Sequence, residues 1–448
     1  MLAVQNGTGI AQELLTRMAE ARRETDRLFN IVSSNALYER PIPERHRMLF
    51  YIGHLEAFDW NLFHGRLFDL RSFHPEFDRL FAFGIDPVGG KLPSDRPADW
   101  PSLDRIRDYV RRVRETIDAA LGKIDFADSQ AGDAQEESSP RLLLNVAIEH
   151  RLMHAETLTY MLHQMPLEQK VRRGTSESPI LLPPPIKKMV EVPAGPITLG
   201  LSRDDSAFGW DNEYNAHTVD LPAFAIDQHK VSNGQYLEFI AAGGYENREL
   251  WREPDWNWIT AHNITHPVFW KRRGGRWLYR TMFDEIDLPL DWPVYVSHAE
   301  ASAYARWAGK ALPGEAQWQR AAYGSMSGDQ RSYPWGNEAP NQLLGNFDFY
   351  RWDPAPVGAF PGNRSDFGVV GLLGNGWEWT STPFAPFPGF RPFSFYPGYS
   401  ADFFDGKHYV LKGGSARTAA CMLRSSFRNW FQPHYQYMYA GFRCVEGQ

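Results

Sequence analysis

The feature that most constrains this chain is a change of periodicity near residue 170. Before it, apolar residues recur at intervals of three and four, as on an amphipathic helix; after it they alternate in short runs broken by Gly and Pro. A stretch patterned for one period cannot adopt the other without exposing much of its apolar surface, so the halves must fold as different kinds of unit. The length of 448 residues also exceeds what one ordinary core accommodates. The expectation is a helical bundle over residues 10–168, a linker over 169–187, and an irregular, loop-rich α+β domain over 188–448.

Four helices are predicted in the first half. IAQELLTRMAEARRETDRLFNIV begins at Ile10, and PERHRMLFYIGHLEAFDWNLFHGRLF opens on a proline suited to a first helical turn. In SLDRIRDYVRRVRETIDAAL, Ser102 is a candidate cap, and Arg105, Asp108 and Arg112 share one solvated face. NVAIEHRLMHAETLTYML, residues 145–162, is the fourth, reached through the polar connection DFADSQAGDAQEESSP. Such lengths and loops suggest an up-and-down four-helix bundle, whose interior is where facing helices place metal ligands. Beyond the linker, only HAEASAYARWAGK and PGEAQWQRAAYG read as helices; MVEVPAGPITLGL, HTVDLPAFAIDQHKVS, HYVLKGGSAR and YAGFRCVEG read as strands.

Within the fourth helix, His150 and His154 are one turn apart on one face. Taken alone, such a pair packs more often than it binds metal. His54, set among aromatic and aliphatic residues of helix two, offers a third imidazole if helices two and four are neighbours. Three neutral imidazoles on one side of an ion suit Fe(II), Zn(II), Cu or Ni and leave positions open for substrate or oxygen. Glu149 and Glu156 flank the pair and could orient ring N–H groups, although a solvated helix edge is their commoner fate. No spacing singles out His46, His64 or His163, which are read as structural.

Composition removes other classes. A net charge of −7 argues against general affinity for nucleic acid. No apolar run approaches the roughly 20 residues of a membrane helix, and the N-terminus lacks a basic region followed by an apolar stretch, so a cytoplasmic protein without a membrane partner is expected. Two cysteines, Cys421 and Cys444, cannot build a disulfide framework, though a single bridge between them stays open.

MVEVPAGPITLGL, DNEYNAHTVDLPAFAIDQHKVSNGQYLEFI, PVYVSHAEASAYARWAGKALPGEAQWQRAA, YPWGN, GLLGNGWEWTSTPF, LKGGSAR and YAGFRC together resemble the C-type-lectin-like fold of formylglycine-generating enzymes and sulfatase-modifying factors, across nearly all of residues 188–446. The first half, with His54 followed by His150 and His154, resembles a DinB-like bundle. The combination resembles the ergothioneine sulfoxide synthase and selenoneine synthase family. This resemblance implies a non-heme Fe(II) enzyme in which His54, His150 and His154 bind the metal. It implies O2, hercynine (trimethylhistidine) and a thiol or selenol donor as small-molecule partners, with the chalcogen attached to the hercynine imidazole. It also implies Tyr396, with Tyr399 as second choice, as a proton or electron donor, and Asn429 and Trp430 as the residues lying over the trimethylammonium group. An aromatic face is a suitable seat for such a cation.

Departures from the family pattern cluster where the donor would be read. Met153 stands where many members have a Gln that bonds the substrate, and Phe431 stands where some have an acid that holds the sulfur donor. LFAFGIDPVGGK replaces an L-F-N-S-Y-Y stretch, and the arginine pair that clamps gamma-glutamyl-cysteine has no clear counterpart. Met153 and Phe431 therefore belong to a remodelled donor pocket, for which a selenosugar and an unusual thiol rank level and ahead of gamma-glutamyl-cysteine. Three rivals remain. A copper oxidase of the formylglycine-generating kind needs a close thiol pair, which Cys421 and Cys444 do not supply in sequence. A non-catalytic binding module has no use for three histidines, and a zinc-dependent DinB-like thiol transferase would work without oxygen.

Overall fold

The computed structural model describes residues 2–82, 92–124, 137–172, 180, 182–183, 185–205 and 207–446, apart from the side chains of residues 2–8. The sequence segments FGIDPVGGK and DFADSQAGDAQE lie outside the described residues. The chain divides into two compact units, residues 1–174 with 206–208, and 175–205 with 209–448.

The first unit holds α1 (Leu2–Phe29), α2 (Met48–Phe63), the short α3 (Pro75–Leu80), α4 (Leu103–Leu121) and α5 (Pro140–Gln164). α1 packs on α5, and α2 packs on both α4 and α5. α4 buries Ile106, Tyr109, Val113, Ile117 and Leu121, the three-and-four stripe of a one-sided helix, while Arg105, Asp108 and Arg112 face solvent as expected. α2 and α5 are buried along most of their length on all sides, which is why their sequences show no polar stripe.

Helix boundaries differ from expectation at two starts. α1 begins at Leu2 rather than Ile10. α2 begins at Met48, so Pro43 precedes the helix instead of opening it. The reason is Arg47, whose backbone is extended and whose guanidinium donates to the Tyr38 carbonyl at 2.7 Å and to Asp95 Oδ2 at 2.8 Å, holding the approach segment in a turn. Ser102 does occupy the cap position of α4, but its side chain makes no capping bond.

The second unit runs β1 (Met189–Val192), β2 (Gly195–Leu199), β3 (His217–Leu221), β4 (Phe224–Asp227), α6 (Asn233–Ala241), α7 (Glu253–Ala261), β5 (Trp270–Arg273), β6 (Arg276–Arg280) and β7 (Glu285–Asp287). It continues with α8 (His298–Trp307), α9 (Glu315–Tyr323), β8 (Trp377–Pro383), β9 (Tyr409–Lys412), β10 (Asn429–Phe431), β11 (Ala440–Gly441) and β12 (Val445–Glu446). The strands form small sheets in the orders β1-β4-β12, β10-β9-β8-β11, β2-β3 and β5-β6-β7. Two helices, α6 and α7, were not expected. Both carried start signals: Ser232 and Gln235 form a reciprocal capping box at 3.3 and 2.8 Å, and α7 opens on Glu253, Pro254 and Asp255. Cys421 and Cys444 are both free thiols, so the bridge left open by the sequence is not formed. Among the described residues no helix is long and apolar enough to cross a membrane.

Loop-rich folds need tie points, and Glu378 on β8 is the principal one. Its buried carboxylate accepts from Arg443 Nε at 2.6 Å and Nη2 at 2.8 Å and from Trp318 Nε1 at 3.0 Å, and it pairs with Lys230 Nζ at 3.0 Å. Burial pushes this carboxyl up, but Arg443 and Lys230 outweigh it and hold it below the usual carboxylate range. The group joins β8, α9, the stretch after β4 and the C-terminal strand region above a core containing Trp318, Phe347, Leu372 and Leu423. Removing the carboxylate leaves two buried cations unpaired, which costs roughly 3–5 kcal/mol. Glu378→Ala should therefore lower the unfolding free energy of this unit by that amount, read as a lower urea midpoint with little change in m-value.

Candidate metal centre

α2 supplies His54 and α5 supplies His150 and His154, and the packing of these two helices brings the three rings together. His154 Nε2 lies 3.2 Å from His54 Nε2 and 3.1 Å from His150 Nε2. One nitrogen from each ring lies within 4.8 Å of the others. Ligand nitrogens about 2.1 Å from an ion and at right angles are about 3.0 Å apart, so the two short edges suit neighbouring ligands of one ion. Among the described residues no other set of three His, Cys, Asp or Glu side chains converges in this way.

The tautomer of His54 is fixed by a backbone group. Its Nδ1 lies 2.7 Å from the Phe81 carbonyl, which can only accept, so Nδ1 carries the proton and the Nε2 lone pair is directed at His154. Two such lone pairs at 3.2 Å repel unless a cation or a proton lies between them. Burial supplies the second condition for metal binding. It pushes the His54 pKa down to about 4 against the opposing Phe81 bond, with smaller contributions from His46 and Arg151. Burial likewise holds His150 and His154 well below 6.5, reinforced by the neighbouring imidazoles and by Arg151. All three rings are thus neutral near neutral pH, the form a metal needs. The residues fit a divalent ion held by three imidazoles with other positions open.

Aromatic rings set the imidazole planes. Phe58 stacks on His150 at 3.4 Å and 10°, Phe50 stacks on His54 at 4.9 Å and 20°, and Tyr51 lies 5.7 Å from His154. Gly53 is the residue sequence reasoning passed over. A Cβ there would meet the Phe81 ring at 2.6 Å, so the glycine lets Phe81 approach α2 and put its carbonyl on His54. An isolated glycine inside an apolar helix, directly before a candidate ligand, was the available signal. Glu149 and Glu156 are 1% and 8% exposed, which removes the solvated-edge reading. Met153 is half-buried beside His154 on α5.

In the second unit, Tyr399 is buried, stacked on Trp210 at 4.0 Å and edge-on to Trp430 at 5.4 Å. Tyr396, half-buried, lies 5.5 Å from Tyr399. Trp430 stacks flat on Phe384 at 4.2 Å and 5°, with Phe403 at 5.6 Å, and its backbone N–H donates to the Asn429 side chain at 2.9 Å. The structure therefore gathers Tyr396, Tyr399, Asn429 and Trp430, and adds Trp210, Phe384 and Phe403, which no motif had marked. Phe431 is the exception: strand alternation on β10 turns it away from Trp430, and it stacks on Tyr435 at 4.9 Å.

Residues 181–448 match the sulfatase-modifying factor enzyme 1-like domain, and residues 17–158 match the DinB superfamily. The hercynine oxygenase of Mycobacterium tuberculosis is 39% identical over 344 residues, spanning 76% of this chain and 77% of that protein. That of Mycolicibacterium thermoresistibile is 34% identical over 453 residues, spanning 98% and 96%. The ergothioneine biosynthesis protein 1 of Neurospora crassa is 26% identical over 497 residues, spanning 91% of this chain and 55% of that protein. The expected pairing of a DinB-like bundle with a formylglycine-generating-type domain is thereby confirmed.

The depressed imidazole pKa values have a consequence for the metal-free protein. Below pH 6.5 the unfolded chain takes up protons at these histidines that the folded chain refuses until about pH 4 at His54. The stability associated with neutral His54 is therefore complete above pH 6.5 and is lost as pH falls toward 4. Urea unfolding at stepped pH should show this decline, and His54→Gln should flatten it; an identical pH slope in the variant would contradict the assignment.

Proposed function

This chain belongs to the hercynine oxygenase family, and on that premise we propose that it binds Fe(II) at His54, His150 and His154 and uses O2 to form a carbon–chalcogen bond on the hercynine imidazole. Membership makes it an oxidoreductase-type enzyme of oxidative ergothioneine-type chemistry. The observation that carries the metal assignment is the converging set of neutral imidazoles, with His54 held in one tautomer by Phe81.

Iron held there would activate O2 and bring the substrate imidazole and the chalcogen donor to one centre. The chain's own residues do the rest. Phe81 keeps the His54 Nδ1 proton in place, and Phe58 and Phe50 keep the ligand rings from rotating and exclude water from behind them. Trp430, supported by Phe384 and edged by Tyr399, offers aromatic faces to the trimethylammonium group, and Asn429 braces the Trp430 backbone. Tyr396 is the proposed proton or electron donor. It is the more accessible of the two tyrosines, since Tyr399 is buried, stacked on Trp210 with Trp430 edge-on to it.

Met153 in the first unit and Phe431 in the second are each proposed to contribute to donor recognition. A thioether cannot donate a hydrogen bond and a phenyl ring cannot hold an ammonium group as a carboxylate would. The pair favours a donor without an amino acid head group, such as a selenosugar giving selenoneine, level with an unusual thiol giving an ergothioneine sulfoxide precursor. The test loads the protein with Fe(II) anaerobically, admits O2 with hercynine, and compares cysteine, gamma-glutamyl-cysteine and a selenosugar by product mass. Hercynine carrying one selenium or sulfur, formed only with both iron and O2, is the expected result. Product without O2 would favour a zinc-type thiol transferase, and hercynine bound but never converted would favour a binding module.

A further inference from the structure

We propose that Arg151 is a positioning residue for the metal site: by clamping Glu56 and Asp59 of α2 it sets the register in which His54 meets His150 and His154. The inference rests on the metal-binding reading above. Arg151 is fully buried on α5. Its Nη1 donates to Glu56 Oε1 at 3.0 Å, and its Nη2 donates to Asp59 Oδ2 at 2.6 Å and to the Leu55 carbonyl at 3.1 Å. All three acceptors belong to the stretch of α2 that begins at His54, and Arg151 directly follows His150. The planar guanidinium thus ties the turn of α5 that carries His150 to the turn of α2 that carries His54 and to the turn after it. Arg114 of α4 extends the tie, donating to the same Glu56 oxygen at 2.9 Å and to both Asp26 oxygens of α1 at 2.7 and 2.8 Å.

Stability alone does not account for this cluster. Glu56 Oε2 and Asp59 Oδ1 are buried without a hydrogen-bond partner, so the network is only partly satisfied. Buried ion clusters of this kind are often equalled or bettered in stability by apolar residues of similar volume. An apolar seam, however, tolerates sliding and rotation, whereas a rigid fork gripping two carboxylates in different directions does not. The tolerance of the metal site is small. A slip of one residue moves His54 about 1.5 Å along the axis and about 100° around it, while a productive ligand set needs placement to within about 0.5 Å.

The test separates register from stability, using Co(II) as a probe whose absorption bands report coordination. The triple variant Glu56→Leu, Asp59→Leu, Arg151→Met removes the charges together and leaves none of the three unpaired in the core. It should keep its helical circular dichroism and its melting temperature while binding Co(II) roughly 10–100-fold more weakly, with altered bands. Arg151→Lys, which keeps the charge but cannot span both carboxylates, should weaken Co(II) binding about tenfold. Wild-type Co(II) affinity and spectrum in a folded triple variant would overturn the proposal. If the triple variant does not fold, Arg151→Lys decides alone, and unchanged affinity there overturns it. Wild-type protein that takes up no Co(II) is a different outcome, and overturns the metal reading itself.

Discussion

Three imidazoles facing one another in the buried interior of a helical bundle are accommodated as uncharged rings, because the cost of burying a charged one is too large without a partner. That constraint shapes the first unit. Neutral rings still need their remaining polar atoms and planes controlled, and the Phe81 carbonyl, Phe58 and Phe50 do this at distances of 2.7, 3.4 and 4.9 Å. Gly53 exists in this arrangement as the absence of a side chain, without which the Phe81 backbone could not reach His54. Behind the rings, Arg151, Glu56 and Asp59 concentrate the charge that the site itself excludes.

The second unit solves a different problem. Its strands are short and its connections long, so buried ionic tie points replace extended sheet pairing. Glu378 gathers Arg443, Lys230 and Trp318, and Glu213 with Arg424 and Ser426 makes a second such point. Loops anchored this way can present side chains from distant parts of the sequence on one surface. Trp210, Phe384 and Tyr399 come to Trp430 of β10 through such loops.

Legibility in the sequence followed the range of the interactions. The bundle was readable because helical period and metal-ligand spacing are local properties, and His150 and His154 announce themselves one turn apart. The start of α2 was misplaced because Arg47 reaches Asp95, 48 residues away, and that pull overrides the proline signal. α6 and α7 carry start signals in Ser232, Gln235 and Pro254, but at nine residues each they are too short for a helical period to stand out from the strand-like pattern around them. Phe81 and Gly53 were invisible as functional residues, because one acts through a carbonyl every residue has and the other through having no side chain. Phe431 follows Trp430 on β10, and strand alternation turns the two side chains to opposite faces, a separation that residue order alone does not display.

The central claim is that His54, His150 and His154 together hold one iron. X-ray absorption at the iron edge on anaerobically Fe(II)-reconstituted protein, with metal analysis of the same sample, addresses it most directly. The account predicts one iron per chain with three imidazole nitrogens in its first coordination sphere, and loss of that signature in His150→Ala. Full iron occupancy with an unchanged spectrum in that variant would contradict it.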